Sequence, residues 1–357
     1  MLFDLNPKEK TADLFDRKKE LAELLSATER GERLIVVYGI RRIGKTSLLK
    51  SFIYEKEFLS VFLDVRKIYF VHRKSVPSEA IYESLMEGFT ELLNELGISA
   101  EEQIRILSVF QGYDITSLLS NINRWCSEKR ARFLFILDEA QYLRFSKRVA
   151  YDGVIAWSMD NLKNIIFIVS GSEVGLLKEV LNYDDVKAPL YGRLKNEITL
   201  KKLNSGESRE FLMRGFKEQN EDITEEQLVQ VFDSVGGLIG WLTYYGYYRT
   251  VRRLSHKAAL AEVFSEGSKI SMAEVDTLVK GSKKRYLAIM TAISNGICSW
   301  SEIKAYTMAR SGRIPDSVLD KLISSLIKFS IIEKDSDGKY KIIDPILKSH
   351  LQEDAHK

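Results

Sequence analysis

The chain has 357 residues, 45% hydrophobic and 29% charged, with a net charge of +3. That length holds two or three domains with a sizeable core, and the composition is that of an ordinary soluble protein. The charge is too small to imply nucleic acid by itself.

Cys126 and Cys298 lie far apart in helical patterns, so a disulfide framework is not expected and a reducing compartment fits. Four scattered histidines form no zinc signature. The first ten residues lack the apolar core of a signal peptide, and no apolar run approaches membrane-spanning length. The expectation is a cytoplasmic protein with no membrane partner.

Residues 11–30 read as an amphipathic helix ending near Gly31, with Leu14, Leu21, Leu24 and Leu25 on one stripe. The β-branched run 34–38 then leads into Gly39-Ile40-Arg41-Arg42-Ile43-Gly44-Lys45-Thr46. This matches the G-x-x-x-x-G-K-[ST] phosphate-binding pattern, and a helical run beginning Ser47-Leu48-Leu49 follows it. Glycines let the backbone curl around a polyphosphate so that successive N–H groups point inward. The helix starting at Lys45 adds the positive end of its dipole. Lys45 can reach the β- and γ-phosphates, and the Thr46 hydroxyl can ligate Mg²⁺.

Residues 59–64 read as a second buried strand, which makes 47–56 the crossover helix of a right-handed βαβ unit. A long helix is expected over 75–98 and another over 115–129, capped by Asp114. The apolar run 133–137 then ends in Asp138-Glu139. Ligand groups gather at the carboxyl ends of parallel strands, so Asp138 is expected beside the phosphate loop. There it can hold Mg²⁺ through water while Glu139 orients the attacking water. The plainer reading is an acidic turn after a core strand.

The apolar run 165–169 is followed by Ser170-Gly171-Ser172, where a serine can hydrogen-bond the γ-phosphate or the attacking water. A plain strand-to-helix turn is the alternative. Arg193 precedes a short strand at 197–200 and reads either as a γ-phosphate contact or as a surface arginine.

From Asn204 the pattern is helical, with helices expected at 205–217, 224–234 and 238–251 and a break at Gly236-Gly237. Tyr244, Tyr245, Tyr247 and Tyr248 read as core and packing surface rather than a base-stacking platform. Further helices are expected at 256–265 and 272–281, with His256 as a polar surface or capping residue.

The last part opens with a helix at 283–294, then one from Ser299 with a Ser-x-x-Glu capping box, then one starting at Pro315-Asp316. Strands 331–334 and 339–343 flank an Asp-Gly turn. Three helices and a hairpin read as a winged helix. From Lys280 onward fourteen Lys and Arg face nine Asp and Glu, with Arg310, Arg313, Lys339 and Lys341 on the loop and wing. These favour DNA phosphate contact, whereas Asp316 and Asp320 at the start of the third helix oppose it. DNA and a protein contact both stay open as partners of this module.

With these residues in hand, nearly the whole chain resembles the archaeal-type P-loop ATPases, a branch of the AAA+/STAND nucleotide switches with a C-terminal winged helix. The likeness rests on Phe15-Asp-Arg17-Lys-Lys-Glu20-Leu21, the phosphate loop, Leu137-Asp-Glu-Ala-Gln141, Ser170-Gly-Ser172, Leu190-Tyr-Gly-Arg193 and Ile343-Asp-Pro-Ile346. It implies a five-stranded parallel sheet with the serine-bearing strand between the P-loop strand and the Asp138 strand. It also implies a helical lid and a winged helix closing over the nucleotide, with Phe15, Arg17 and Gly237 lining the adenine pocket. Asp16 stands where the family usually has glycine, and Ile239 where related switches often carry proline.

The expected architecture is therefore an ATPase core at 1–203, a lid at 204–281 and a winged helix at 282–357. The expected function is an Mg²⁺-dependent ATPase of the switch type. Residues Gly39, Arg41, Arg42, Ile43, Gly44, Lys45, Thr46 and Ser47 would bind ATP or ADP, and Thr46 and Asp138 the metal. Glu139 would position water, while Ser170, Ser172 and Arg193 sense the γ-phosphate. If Arg193 acts on a neighbour's nucleotide, a homo-oligomeric ring or filament is required; if on its own, a monomer suffices. The rivals are a nucleotide-regulated DNA-binding protein in which hydrolysis is incidental, and a small-molecule kinase sharing the P-loop.

Overall fold

The structure is a computed structural model and describes residues 1–56, 58–107, 114–279 and 281–355. The chain divides into two compact units. One comprises Lys8–Arg41 and Lys45–Leu200; the other comprises Met1–Pro7, Arg42–Gly44 and Lys201–Lys357.

The first unit is built on five parallel strands: β1 (Leu34–Tyr38), β2 (Leu59–Asp64), β3 (Phe133–Asp138), β4 (Ile165–Gly171) and β5 (Asn196–Thr199). Their order is β2-β3-β4-β1-β5, so β4 does lie between β1 and β3, as the resemblance implies. Strands β1, β3 and β4 are buried along their whole length, which is why their sequences are continuous apolar runs rather than alternating ones. The register pairs Asp64 with Asp138, Leu137 with Val169, and Val37 with Ser170. The carboxyl ends of β1, β3 and β4 are thereby aligned at one edge of the sheet.

Eight α-helices of the described residues belong to this unit: α1 (Lys18–Arg30), α2 (Lys45–Lys56), α3 (Val65–Val71), α4 (Ser78–Glu95), α5 (Ala100–Leu107), α6 (Ile115–Lys129), α7 (Tyr151–Asn161) and α8 (Val174–Leu181). The helix expected over 75–98 is shorter, beginning after Pro77, whose fixed φ suits a helix entrance. Ahead of it, α3 follows β2 without a loop because the Asp64 side chain accepts from the Lys67 N–H at 3.1 Å. Seven residues are too few to display a helical period, so α3 has no signature in the sequence. Asp114 caps α6 as expected, accepting from the Thr116 N–H at 3.0 Å.

The second unit holds α9 (Ser205–Glu218), α10 (Glu225–Val235), α11 (Ile239–Thr250) and α12 (His256–Leu278). A winged helix follows: α13 (Lys283–Ser294), α14 (Trp300–Ser311), α15 (Asp316–Lys328), the antiparallel pair β6 (Ile332–Lys334) and β7 (Tyr340–Ile342), then α16 (Pro345–Ala355). Reciprocal capping boxes start α9, α10 and α14.

The two helices expected at 256–265 and 272–281 are one, α12, running through Gly267. That glycine does not break the helix; it leaves room for a neighbour, since a Cβ there would stand 2.8 Å from Ile346 Cδ1. Tyr245 is fully buried, in keeping with a packing role for the tyrosine cluster. Its hydroxyl lies 2.8 Å from His256 Nδ1, whose ring also meets Gln230. No helix among the described residues is long and apolar enough to cross a membrane.

Candidate active site

Strand β1 ends at Tyr38, and α2 begins at Lys45. The turn between them needs Gly44, whose φ of +98° is open to few other residues. Lys45 is 5% exposed, and its ammonium donates to the carbonyls of Gly39 at 2.8 Å and Ile40 at 3.2 Å. Burial pushes its pKa down, while the charges of Glu139 and Asp138 act in the opposite sense. An ammonium held inside its own loop is placed to exchange those carbonyls for phosphate oxygens.

The aligned strand ends bring the other groups to this point. The Thr46 hydroxyl donates to Asp138 Oδ2 at 2.7 Å, and the Ser170 hydroxyl donates to Asp138 Oδ1. Burial and the neighbouring Glu139 charge raise the Asp138 pKa, against the two hydroxyl donors and Lys45. Glu139 follows in the left-handed region, with φ of +53°. Its Oε2 accepts from Ser172 Oγ at 2.6 Å and from Gln141 Nε2 at 2.5 Å. Burial would raise this carboxyl, but the charges of Lys45 and Arg66 and the two donors prevail, and its pKa is lowered. Two adjacent acids are thus driven apart in proton affinity.

Lys45, Thr46, Asp138, Glu139, Ser170 and Ser172 are therefore brought together, as their residue types suggested. Other expected site residues have different surroundings. Arg41 donates to Glu173 Oε1 at 2.6 Å, and Ser47 Oγ accepts from the Lys8 N–H at 3.0 Å. Ile43 is fully buried. Phe15 and Arg17 are buried, and Arg17 (φ +72°) pairs with Glu20 at 3.4 Å. Within the second unit Gly237 packs on Leu203, where a Cβ would overlap the Leu203 carbonyl oxygen at 1.7 Å. Arg193 is not joined to the cluster: it pairs with Asp160 and donates to the Pro189 carbonyl at 2.8 Å.

The sequence reading quoted Gln141 as part of a motif but gave it no role, and it passed over Arg66 and Glu173. Gln141 is fully buried and holds Glu139; its place two residues beyond that acid was the available signal. Glu173 is buried between Arg41 and Arg144, the latter at 3.1 Å.

The ATPase domain found predominantly in Archaea matches residues 14–244. The chain belongs to that family. Residues 280–343 match the C-terminal winged helix-turn-helix domain of MCM proteins. A Walker-type ATPase of Pyrococcus abyssi is 32% identical, covers 99% of this chain and 100% of its own, and superposes with a TM-score of 0.89. The ORC2 protein of Aeropyrum pernix, solved as ADPNP–ADP complexes, is 15% identical over 99% of this chain and 95% of its own. Its TM-score of 0.65 shows a shared fold. No curated protein matches the sequence. The chain is thus a P-loop ATPase with a winged helix.

Removing the Glu173 charge would leave two arginines without their shared partner. Breaking a fully buried pair costs about 3–5 kcal/mol. Here the arginines are 23% and 26% exposed, so Glu173→Gln is expected to destabilise the protein by about 2–3 kcal/mol. Urea unfolding measures this as a lower midpoint at unchanged slope.

Proposed function

We propose that this ATPase binds Mg²⁺–ATP and hydrolyses it slowly, using the nucleotide to switch between conformations. The observation that carries the reading is the 2.7 Å contact of Thr46 with Asp138, beside a buried lysine and a second acid. Two hard oxygen donors at one point suit Mg²⁺, which takes few protein ligands and keeps its remaining positions for water and phosphate. The metal would draw charge from the phosphate oxygens. The loop N–H groups and Lys45 would meet the rest of that charge.

In this reading Glu139 accepts the proton of the attacking water, or orients it, through the oxygen that Ser172 and Gln141 leave free. Its lowered pKa keeps it ionised at neutral pH but makes it a weak base, which accords with slow turnover. Ser170 and Ser172 then act chiefly by holding the two carboxylates. Arg193 would stabilise transferring phosphate only after giving up Asp160, which makes its contribution conditional. The segments 1–203, 204–281 and 282–357 would serve as ATPase core, lid and winged helix. The nucleotide complexes of the Aeropyrum ORC2 protein support adenine nucleotide as ligand.

Lys45→Ala is expected to weaken nucleotide binding at least tenfold by calorimetry. Glu139→Gln should bind ATP as tightly as the parent while phosphate release falls about 10²–10⁴-fold. Parental turnover in the Gln variant would remove Glu139 from the mechanism.

A second reading, duplex contact by the winged helix, is favoured by the state of its acids. Asp316 pairs with Lys304 at 2.5 Å, Asp320 accepts from Trp300 Nε1 at 2.7 Å, and Asp335 pairs with Lys341 at 2.8 Å. Arg310, Arg313 and Lys339 are exposed beside them. Fluorescence anisotropy with a DNA duplex should then show binding that falls steeply with salt. Neutralising Arg310, Arg313, Lys339 and Lys341 together should abolish it. Salt-independent or absent binding would leave a protein partner.

A further inference from the structure

The second unit contains one stretch from the phosphate loop, Arg42–Gly44, and Arg42 is its most constrained residue. Its φ of +64° is left-handed, a conformation uncommon for a residue with a side chain and one half of the alternation by which successive N–H groups form an anion nest. Its surroundings lie far along the chain. Arg42 Nη2 is 2.8 Å from Glu274 Oε1 on α12, and Nη1 is 3.4 Å from Glu274 Oε2. Nη1 also stands 3.7 Å from Asp344 Oδ2, and the guanidinium carbon lies 4.3 Å over the Trp241 ring. The Arg42 carbonyl accepts from the Gly240 N–H at 3.0 Å. A Cβ on Gly240 would fall 2.7 Å from Arg42 Cβ, so only glycine admits this approach.

Asp344 is itself held from three sides. It accepts from Trp241 Nε1, Ser271 Oγ and the Ile346 N–H, each at 3.0 Å. The result is a clasp made by α11, α12 and the start of α16 on one loop residue. A phosphate loop works through the direction of its N–H groups. The conformation of Arg42 sets the two peptides that flank it, which carry the N–H groups of Arg42 and Ile43. The guanidinium is committed to carboxylate and indole, so Arg42 serves the ligand through its backbone.

We propose that Glu274, backed by Asp344 and Trp241, is a positioning residue for the phosphate loop: it holds Arg42 in the left-handed conformation that aims the loop amides at phosphate. This rests on the reading that the loop binds nucleotide. Linkage makes the coupling reciprocal, so whatever disturbs Asp344 at the start of α16 changes nucleotide affinity, and bound nucleotide steadies the clasp.

The test uses the full chain with Glu274→Gln, Glu274→Asp and Asp344→Asn, and with Lys45→Ala as the control. Release of a fluorescent ADP analogue is followed by stopped flow, ADP affinity by calorimetry, and unfolding without nucleotide by thermal melting. Glu274→Gln is expected to release ADP about 5–50-fold faster and bind it correspondingly more weakly. KM for ATP should rise more than kcat falls. Glu274→Asp should recover most of the loss, and Asp344→Asn should act in the same direction as Glu274→Gln. Parental ADP affinity and release in Glu274→Gln, with binding lost in Lys45→Ala, would overturn the clasp and leave the nucleotide reading standing. A lowered melting temperature with ADP affinity intact would mark a merely structural ion pair and likewise overturn it. If Lys45→Ala binds ADP as the parent does, the nucleotide reading itself fails.

Discussion

One buried carboxylate organises the edge of the sheet at which β1, β3 and β4 end. Asp138 accepts from Thr46 on one oxygen and from Ser170 on the other. A carboxyl group that is 2% exposed would be costly to leave unbonded, so both partners must be held in place. They come from the first turn of α2, which follows β1, and from the end of β4, which lies between β1 and β3 in the strand order. The same hydrogen bonds gather the side-chain oxygens of Thr46, Ser170 and Asp138 at one point.

Adjacent acids at a strand end would ordinarily resemble each other in proton affinity. Here the backbone turns sharply at Glu139, sending its side chain to a separate pair of donors, Ser172 and Gln141. Asp138 is shifted up and Glu139 down, with Lys45 acting on both. Two carboxylates with opposed shifts can take different tasks within one small site. Burial and the Glu139 charge set Asp138 upward, while at Glu139 burial is outweighed by the charges of Lys45 and Arg66, which set it downward; the Ser-Gly-Ser at the end of β4 supplies one hydroxyl to each acid.

Much of this was legible in the sequence because it is local. The phosphate loop carries its own spacing, and fully buried strands declare themselves as unbroken apolar runs. Asp138, Glu139, Ser170 and Ser172 follow such runs directly, so parallel topology alone places them together. The winged helix was visible from its capping box, its helical periods and its Asp-Gly turn. What escaped was non-local or too short. Helix α3 has only seven residues, and the packing of Ile346 against Gly267 within α12 is not visible from the local sequence. Glu173 looks like any acid after a turn, because its two arginines lie 132 and 29 residues away. Arg193 reads either as a phosphate contact or as a surface arginine, and nothing in its own neighbourhood announced Asp160 as its partner.

The two arginines in the middle of the phosphate loop follow from the same logic. Arg41 and Arg42 are neighbours in sequence, yet they fall in different compact units and bind different carboxylates, Glu173 and Glu274. A loop that only needed positive charge near phosphate would leave both guanidinium groups free to reach it. Instead each is tied to an acid, one beside Ser172 at the end of β4 and one on α12. Each of the two central residues of the loop is therefore paired with a carboxylate of its own unit. A glycine at position 42 would adopt the same φ at no steric cost, but it would give α12 and Asp344 nothing to hold. An arginine accepts that backbone strain and in return makes the shape of the loop answer to residues outside the ATPase sheet.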